Sequence, residues 1–310
     1  MGQGDDMHVL VTGAGGFIGR SVVKKARERG WIVTRVARHL ADTDITADLR
    51  QPVHGWPVPD AVIHLAGSYA GCGTKEFTKS DIAIARNLIE WGLKNDVRRW
   101  VFASAAEVYG DVTGTATESS LCQPVIPYGR AKLEIEGMFR VAGLAGVTIC
   151  RLGEVYGPGG RILQELGSRL SSGFCPWPGN GEVPISFLHV DDAAEALVLA
   201  CEQTVWGVQT FNVGDDVPAT WRQLLDEMAS LLSTRRAFSL PKPIARGYAL
   251  ALSWADQVRR KPVSVTPHVV RLLTTPKVLL CTRARENLGF VPRYPDFKMG
   301  LKETLRGPNP

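Results

Sequence analysis

Along the first half of the chain, short apolar runs alternate with longer stretches whose apolar positions fall at helical spacing. The runs at 9–12, 31–36, 61–65, 100–104 and 147–152 read as buried strands, and 16–29, 80–94 and 128–142 as helices. This rhythm predicts an α/β, doubly wound parallel sheet, because parallel neighbours need a crossover connection between them. Ligands of such sheets bind at the carboxyl ends of the strands. Those ends carry Gly13, Arg38, Ala66, Ser104 and Glu154.

After Gly157-Pro158-Gly159-Gly160 the rhythm breaks. Residues 173–184, rich in Gly and Pro, read as a loop. A strand is expected at 187–190, then a helix at 192–202 capped by Asp191, a strand at 211–213 and a helix at 218–232. Within 244–260, Ile244, Tyr248, Leu252, Ala255 and Val258 stand near helical spacing. They suit a helix packed on a second small domain, a lid, or a membrane-surface helix.

Composition narrows the class. The 310 residues, 45% of them hydrophobic, can build a sizeable core. No apolar run reaches the length of a membrane span. The polar, acidic stretch 1–6 does not resemble a signal peptide and reads as a short disordered lead-in. Six cysteines without a C-x-x-C pair suit free thiols in a reducing cytoplasm rather than a disulfide framework or a zinc site. Charge is uneven: from Thr234 onward there are 15 Lys and Arg against 4 Asp and Glu. A basic C-terminal part can attract an anionic substrate, an acyl carrier or a membrane surface, or be a solvated face. No zinc-finger pattern or basic stripe with interleaved aromatics points to nucleic acid.

Two motifs carry the chemistry. The first, Thr12-Gly13-Ala14-Gly15-Gly16-Phe17-Ile18-Gly19, follows a strand and opens a helix. In that context it is a dinucleotide cradle: Gly13 allows the tight turn, Gly16 the approach of the pyrophosphate, and Gly19 close helix–sheet packing. The second strand ends in Ala37-Arg38-His39, with no acid before Asp42. An Arg there accommodates a 2′-phosphate, so NADP(H) is expected, with NAD(H) the alternative. The second motif places Tyr128 and Lys132 four residues apart, on one helix face, where an ammonium can stabilise a phenolate. Together they indicate hydride chemistry at a carbonyl or secondary alcohol, with Tyr128 moving the proton.

With T-G-A-G-G-F-I-G at 12–19, H-L-A-G at 64–67, Y-G-R-A-K at 128–132, V-Y-G-P-G at 155–159, F-L-H-V-D-D at 187–192 and F-N-V-G at 211–214, nearly the whole chain resembles the extended short-chain dehydrogenases/reductases of the NAD-dependent epimerase/dehydratase type. The resemblance implies a Rossmann cofactor domain (7–160 and 187–213) and a smaller C-terminal α/β substrate domain (161–186 and 214–310). It implies that Asp48 and Leu49 hold the adenine, and that Leu65, Ala66, Gly67 and Ser104 line the cofactor. Tyr128 would be the acid/base, and Lys132 would bind the nicotinamide ribose and lower the Tyr128 pKa. It further implies a homodimer through the 80–94 and 128–142 helices.

The chain departs from the family pattern at the position of the active hydroxyl, which is Ala105 within Ser104-Ala105-Ala106-Glu107. Ser104 is no direct substitute, since neighbours in a strand point to opposite faces. Glu107 shares the parity of Ala105 and is a candidate base, while Ala105, Ala106 and Glu154 are candidate substrate contacts. Nucleotide-sugar members usually have Asn in place of Glu154 and Arg in place of Ile185, and a carboxylate at 154 would repel a diphosphate. The segments R-L-G-E-V-Y-G-P-G and S-L-P-K-P-I-A-R-G-Y are closer to members acting on less polar alcohols and ketones. Three readings follow: an NADP(H)-dependent oxidoreductase, a sugar epimerase or dehydratase that recycles its cofactor, and a cofactor-binding protein impaired by Ala105.

Overall fold

The computed structural model describes residues 7–38, 43–68, 75–258 and 266–306. Its centre is a seven-stranded sheet in the spatial order Gly207–Val213, Gly146–Leu152, Arg99–Ala105, Ala61–His64, His8–Thr12, Ile32–Ala37 and Ile45–Thr46. Every neighbouring pair in it is parallel. Alternation along the first strand assigns the two faces. Val9 and Val11 join one core with helices Phe17–Glu28 and Val190–Glu202, while Leu10 joins the other with Lys75–Lys94 and Pro127–Val141. The chain winds outward in both directions from His8–Thr12, leaving a crevice at the carboxyl end of that strand.

A third core, holding Leu163, Leu166, Trp177, Phe187, Trp221 and Phe297, lies under the segments outside the sheet. Asp192 ties the C-terminal segment to the sheet side: its buried carboxylate accepts from the backbone N–H groups of Arg293 and Tyr294 at 2.8 and 2.9 Å.

Several expectations change. The 173–184 stretch is not all loop, because Pro176–Pro178 pairs in parallel with Phe238–Leu240. A strand unmarked in the sequence, Glu154–Tyr156, pairs with Phe187–His189. Asp191 is not the N-cap. His189 caps the Val190–Glu202 helix, its Nδ1 accepting from the Asp191 N–H at 3.2 Å, while the Asp191 carboxylate accepts from Ser21. Asp191 thus sits in the first turn, where a negative charge complements the helix dipole. The helix expected at 218–232 is Trp221–Leu231, started by a Thr220–Gln223 capping box. The 244–260 segment belongs, as far as residue 258, to the helix Lys242–Val258, and 259–260 lie outside the described residues.

The lead-in 1–6, Cys72, His39 and Asp42 lie outside the described residues. The other five cysteines are free thiols, four of them buried. Among the described residues no three His, Cys, Asp or Glu converge as a metal site, and no helix is long and apolar enough to cross a membrane.

Candidate active site

Gly13 has φ +70° and bonds its N–H to the Val36 carbonyl at 2.9 Å, turning the chain off the first strand. A Cβ there would stand 2.8 Å from the Ala66 nitrogen, and one on Gly19 would stand 2.1 Å from the Gly13 carbonyl oxygen. Gly16 starts the Phe17–Glu28 helix with no side-chain cap, so the first-turn amides are left for an anion. Gly13, Gly16, Phe17, Ile18 and Gly19 all line one cavity of about 530 Å³ that runs along the carboxyl ends of the strands. The cradle, with its uncapped helix start and no room for side chains, fits a dinucleotide.

Buried His64 steadies the cradle's far side. Its Nδ1 lies 2.8 Å from the Thr12 hydroxyl, whose oxygen accepts from the Leu65 and Ala66 N–H groups at 3.2 Å. Burial, and then the Lys132 charge, push His64 down to about 3, so the ring is neutral. Leu65 and Gly67 line the cavity, and Ala66 contributes the backbone contact just described.

Lys132 is buried, and its ammonium donates to the Ala103 carbonyl at 2.8 Å. Burial pulls its pKa down despite Asp81, Glu107 and Glu136. Its Nζ is 5.7 Å from the Tyr128 ring centroid. The expected lowering of the phenol is absent from this arrangement. Burial, and after it the charges of Glu107, Asp81 and Glu154, push Tyr128 well above the ordinary tyrosine value. The phenol is therefore protonated at neutral pH and placed to donate.

Ala105 and Glu107 line the cavity beside Tyr128. Ser104 also borders it, but its hydroxyl points away and donates to buried Glu136 at 2.6 Å. Glu136 is held by Arg151 at 3.0 and 2.7 Å, and Arg151 donates to the Tyr109 hydroxyl, which donates to Asn212. This network braces the Pro127–Val141 helix from behind, so Ser104 cannot turn to replace the missing hydroxyl. Ala106 lies in a separate small core and does not face the cavity.

Sequence reasoning missed Lys277. It is buried, and its ammonium donates to Glu107 at 2.8 Å and to Glu154 at 2.6 Å. Burial alone would lower its pKa, but the two carboxylates outweigh that and raise it. Glu107 and Glu154 are thus both ion-paired to one buried ammonium, and Glu154 is not free to repel a ligand as an isolated carboxylate would. Nothing in the local sequence Thr275-Pro276-Lys277-Val278 signalled this role. Asp81 was also missed. It accepts from the Ser68 backbone and hydroxyl, fixing the turn after Gly67.

Four expected cofactor residues stand apart from the cavity wall, Ala66 and the three that follow. Arg38 is exposed at the end of the second strand. Asp48 is paired with Arg50, which draws its carboxyl down to about 2. Leu49 is buried in the sheet core, its carbonyl accepting from Asn87. The rest of the lining comes from the Arg161–Ser171 helix and the segments around Trp177, Leu240 and Val270; it mixes apolar residues with the charged Arg161, Glu165 and Arg169.

A profile of the NAD dependent epimerase/dehydratase family matches residues 9–214, about two thirds of the chain. The chain belongs to this family. It is 29% identical over 331 residues to a "3-diazoavenalumate denitrifying reductase" of a Streptomyces species, covering 95% of this chain and 99% of that protein. It is 25% identical over 330 residues to a "2-alkyl-3-oxoalkanoate reductase" of Stenotrophomonas maltophilia, with coverage of 97% and 98%. Among solved structures it is similar to MoeE5 bound to UDP-glucuronic acid and NAD, with 25% identity, a TM-score of 0.77 and coverage of 96% and 98%. As a member of the epimerase/dehydratase family, the protein is an enzyme of oxidoreductase or epimerase type that works with a nicotinamide dinucleotide.

Proposed function

We propose that the protein is an NADP(H)-dependent reductase of a small, largely apolar ketone or related acceptor. One observation carries this reading: the protonated Tyr128 faces a cavity whose lining is mostly apolar, Ile162, Leu166, Trp177 and Val270 included, with Arg161, Glu165 and Arg169 as charged groups among them. The nicotinamide supplies or accepts a hydride at the substrate carbon. Tyr128 donates the Oη proton to the developing alkoxide, and Lys132 neutralises the phenolate left behind. Gly13, Gly16 and the amides of Phe17, Ile18 and Gly19 hold the pyrophosphate, with Leu65, Ala66, Gly67 and Ser104 along the cofactor and Asp48 and Leu49 at the adenine. Arg38 takes the 2′-phosphate. Residues 161–186 and 214–310 form the substrate side. Ala105, Glu107 and Glu154 border the reacting group, leaving Tyr128 as its proton donor.

Two features favour reduction over sugar epimerisation. Ile185 is buried in the core, where nucleotide-sugar members usually have Arg. Glu107, the candidate dehydratase base, is tied to Lys277. Two relatives that span nearly the full chain are named as reductases, in keeping with this reading. We place the enzyme in the cytoplasm, as a homodimer through the adjacent helices Lys75–Lys94 and Pro127–Val141, which leave Leu93 and Val141 exposed.

The test is mass spectrometry of nucleotide released from freshly purified protein, paired with NADPH and NADH titrations. An empty protein that binds NADPH more tightly, with Arg38→Glu reversing the preference, supports the reading. Retained NAD(H) that does not exchange indicates an epimerase or dehydratase instead, and failure to bind either cofactor refutes the reading.

A further inference from the structure

The Lys242–Val258 helix is built inside out for a helix of a soluble domain. Its packed side is small: Ala245 and Ala249 are buried against Leu240 and Val270. Its large apolar residues face outward, with Ile244 58%, Leu250 58% and Trp254 69% exposed, and Tyr248 40%. At 100° per residue, Leu250, Pro243, Trp254, Gly247, Ala251, Ile244 and Tyr248 fill a continuous arc of about 160°. Every one of these positions is exposed and none is charged or carries an amide. The patch extends past the helix start, where exposed Phe238 packs edge-on against exposed Phe174 at 5.4 Å.

The charges of the segment entering this helix are basic, although Arg236 lies 3.9 Å from the Asp226 carboxylate and Asp256 follows later in the helix. Between Arg235 and Ala255 there are four cations, Arg235, Arg236, Lys242 and Arg246, and no Asp or Glu. All four are exposed. Lys242 and Arg246 fall between the packed side and the apolar arc, the position from which long basic side chains reach past an apolar surface. An aromatic-bearing apolar face bordered by cations is the composition of a helix that lies in the interface of an anionic bilayer. Pairing of the same face with a second copy would set these cations against their own images, which disfavours that occupant.

We propose that this helix, with Phe174 and Phe238, is a docking surface for an anionic lipid bilayer, on which the enzyme sits peripherally without spanning it. The surface adjoins the cavity: Leu240, Ala245 and Tyr248 line it from the same segment. The docked face thus lies at the substrate side of the site. The proposal goes beyond the reductase reading and does not depend on it.

The experiment is co-sedimentation of the full chain with vesicles of phosphatidylcholine alone and of phosphatidylcholine mixed with phosphatidylglycerol. The expected result is pelleting with the anionic vesicles only, weakened by salt. Leu250→Ser with Trp254→Ser, and separately Arg235→Gln with Arg246→Gln, should each reduce partitioning about tenfold or more. Their melting temperatures and NADPH binding serve as checks that the variants are folded. Three outcomes would overturn the proposal. They are no pelleting with either vesicle, equal pelleting of the folded variants, and a concentration-dependent dimer dissolved by the Leu250 and Trp254 substitutions, which would make a second copy the occupant.

Discussion

Replacing Lys277 with Met should be the most damaging single change near the site, and its size can be worked from the geometry. The ammonium is 2% exposed and lies 2.8 Å from one carboxylate and 2.6 Å from another, which are themselves 10% and 14% exposed. Its loss leaves two carboxylates roughly 5 Å apart, a repulsion of about 3 kcal/mol at an effective dielectric of 20. Removing one partner of a buried ion pair costs about 3–5 kcal/mol. Because both carboxylates reach the cavity and some water, the lower end applies, about 3 kcal/mol. For a chain of this size that corresponds to a melting temperature lower by roughly 5 °C. The assay is thermal unfolding at neutral pH of Lys277→Met and of the triple variant with Glu107→Gln and Glu154→Gln. The triple variant should recover most of the loss, since it leaves no buried charge unpaired. The folded-state pKa of Lys277 is raised, so its contribution is fully present below the ordinary lysine value and is lost as pH rises through the higher folded one. The wild-type advantage should therefore hold from neutral pH to about 10 and shrink only above it. A Lys277→Met protein within about 0.5 kcal/mol of wild type, or a triple variant no better than the single, would refute the reasoning.

Other outcomes follow from the same site. Ala105→Ser should raise turnover by as much as about 10²-fold, since it restores a donor at the reacting oxygen. Unchanged kcat would show that another group already serves. Ser104→Ala should lower stability by about 1–3 kcal/mol in urea unfolding, because its hydroxyl serves Glu136. The raised Tyr128 pKa keeps the phenol protonated, so reduction by wild type should stay level from neutral pH to about 9, and Tyr128→Phe should lose at least about 10²-fold in kcat. A wild-type pH profile falling near neutrality, with a limb that Tyr128→Phe abolishes, would contradict that assignment.

The sequence by itself determined the parallel sheet, the cradle and the Tyr128–Lys132 pair. Each is a local pattern: the apolar runs at 9–12 and 100–104, three glycines between a strand and a helix, two residues one helical turn apart. Local chemistry also showed that Ala105 lacks a hydroxyl, and strand parity set the Ser104 hydroxyl apart from that position, where it donates to Glu136. Short strands such as Pro176–Pro178 escaped notice because three residues carry no readable period and Gly and Pro dominate their surroundings. The N-cap of the Val190–Glu202 helix moved because His189 and Ser21 supply partners that the helix pattern alone does not reveal. Only the tertiary structure decided what Glu107 and Glu154 do, since Lys277 meets them across 170 and 123 residues of chain. It also decided which side of the Lys242–Val258 helix packs, because a helical period marks an apolar stripe but not the surface that meets it. Charge pairing and burial depend on which segments come together in space, and spacing along one segment does not carry that information.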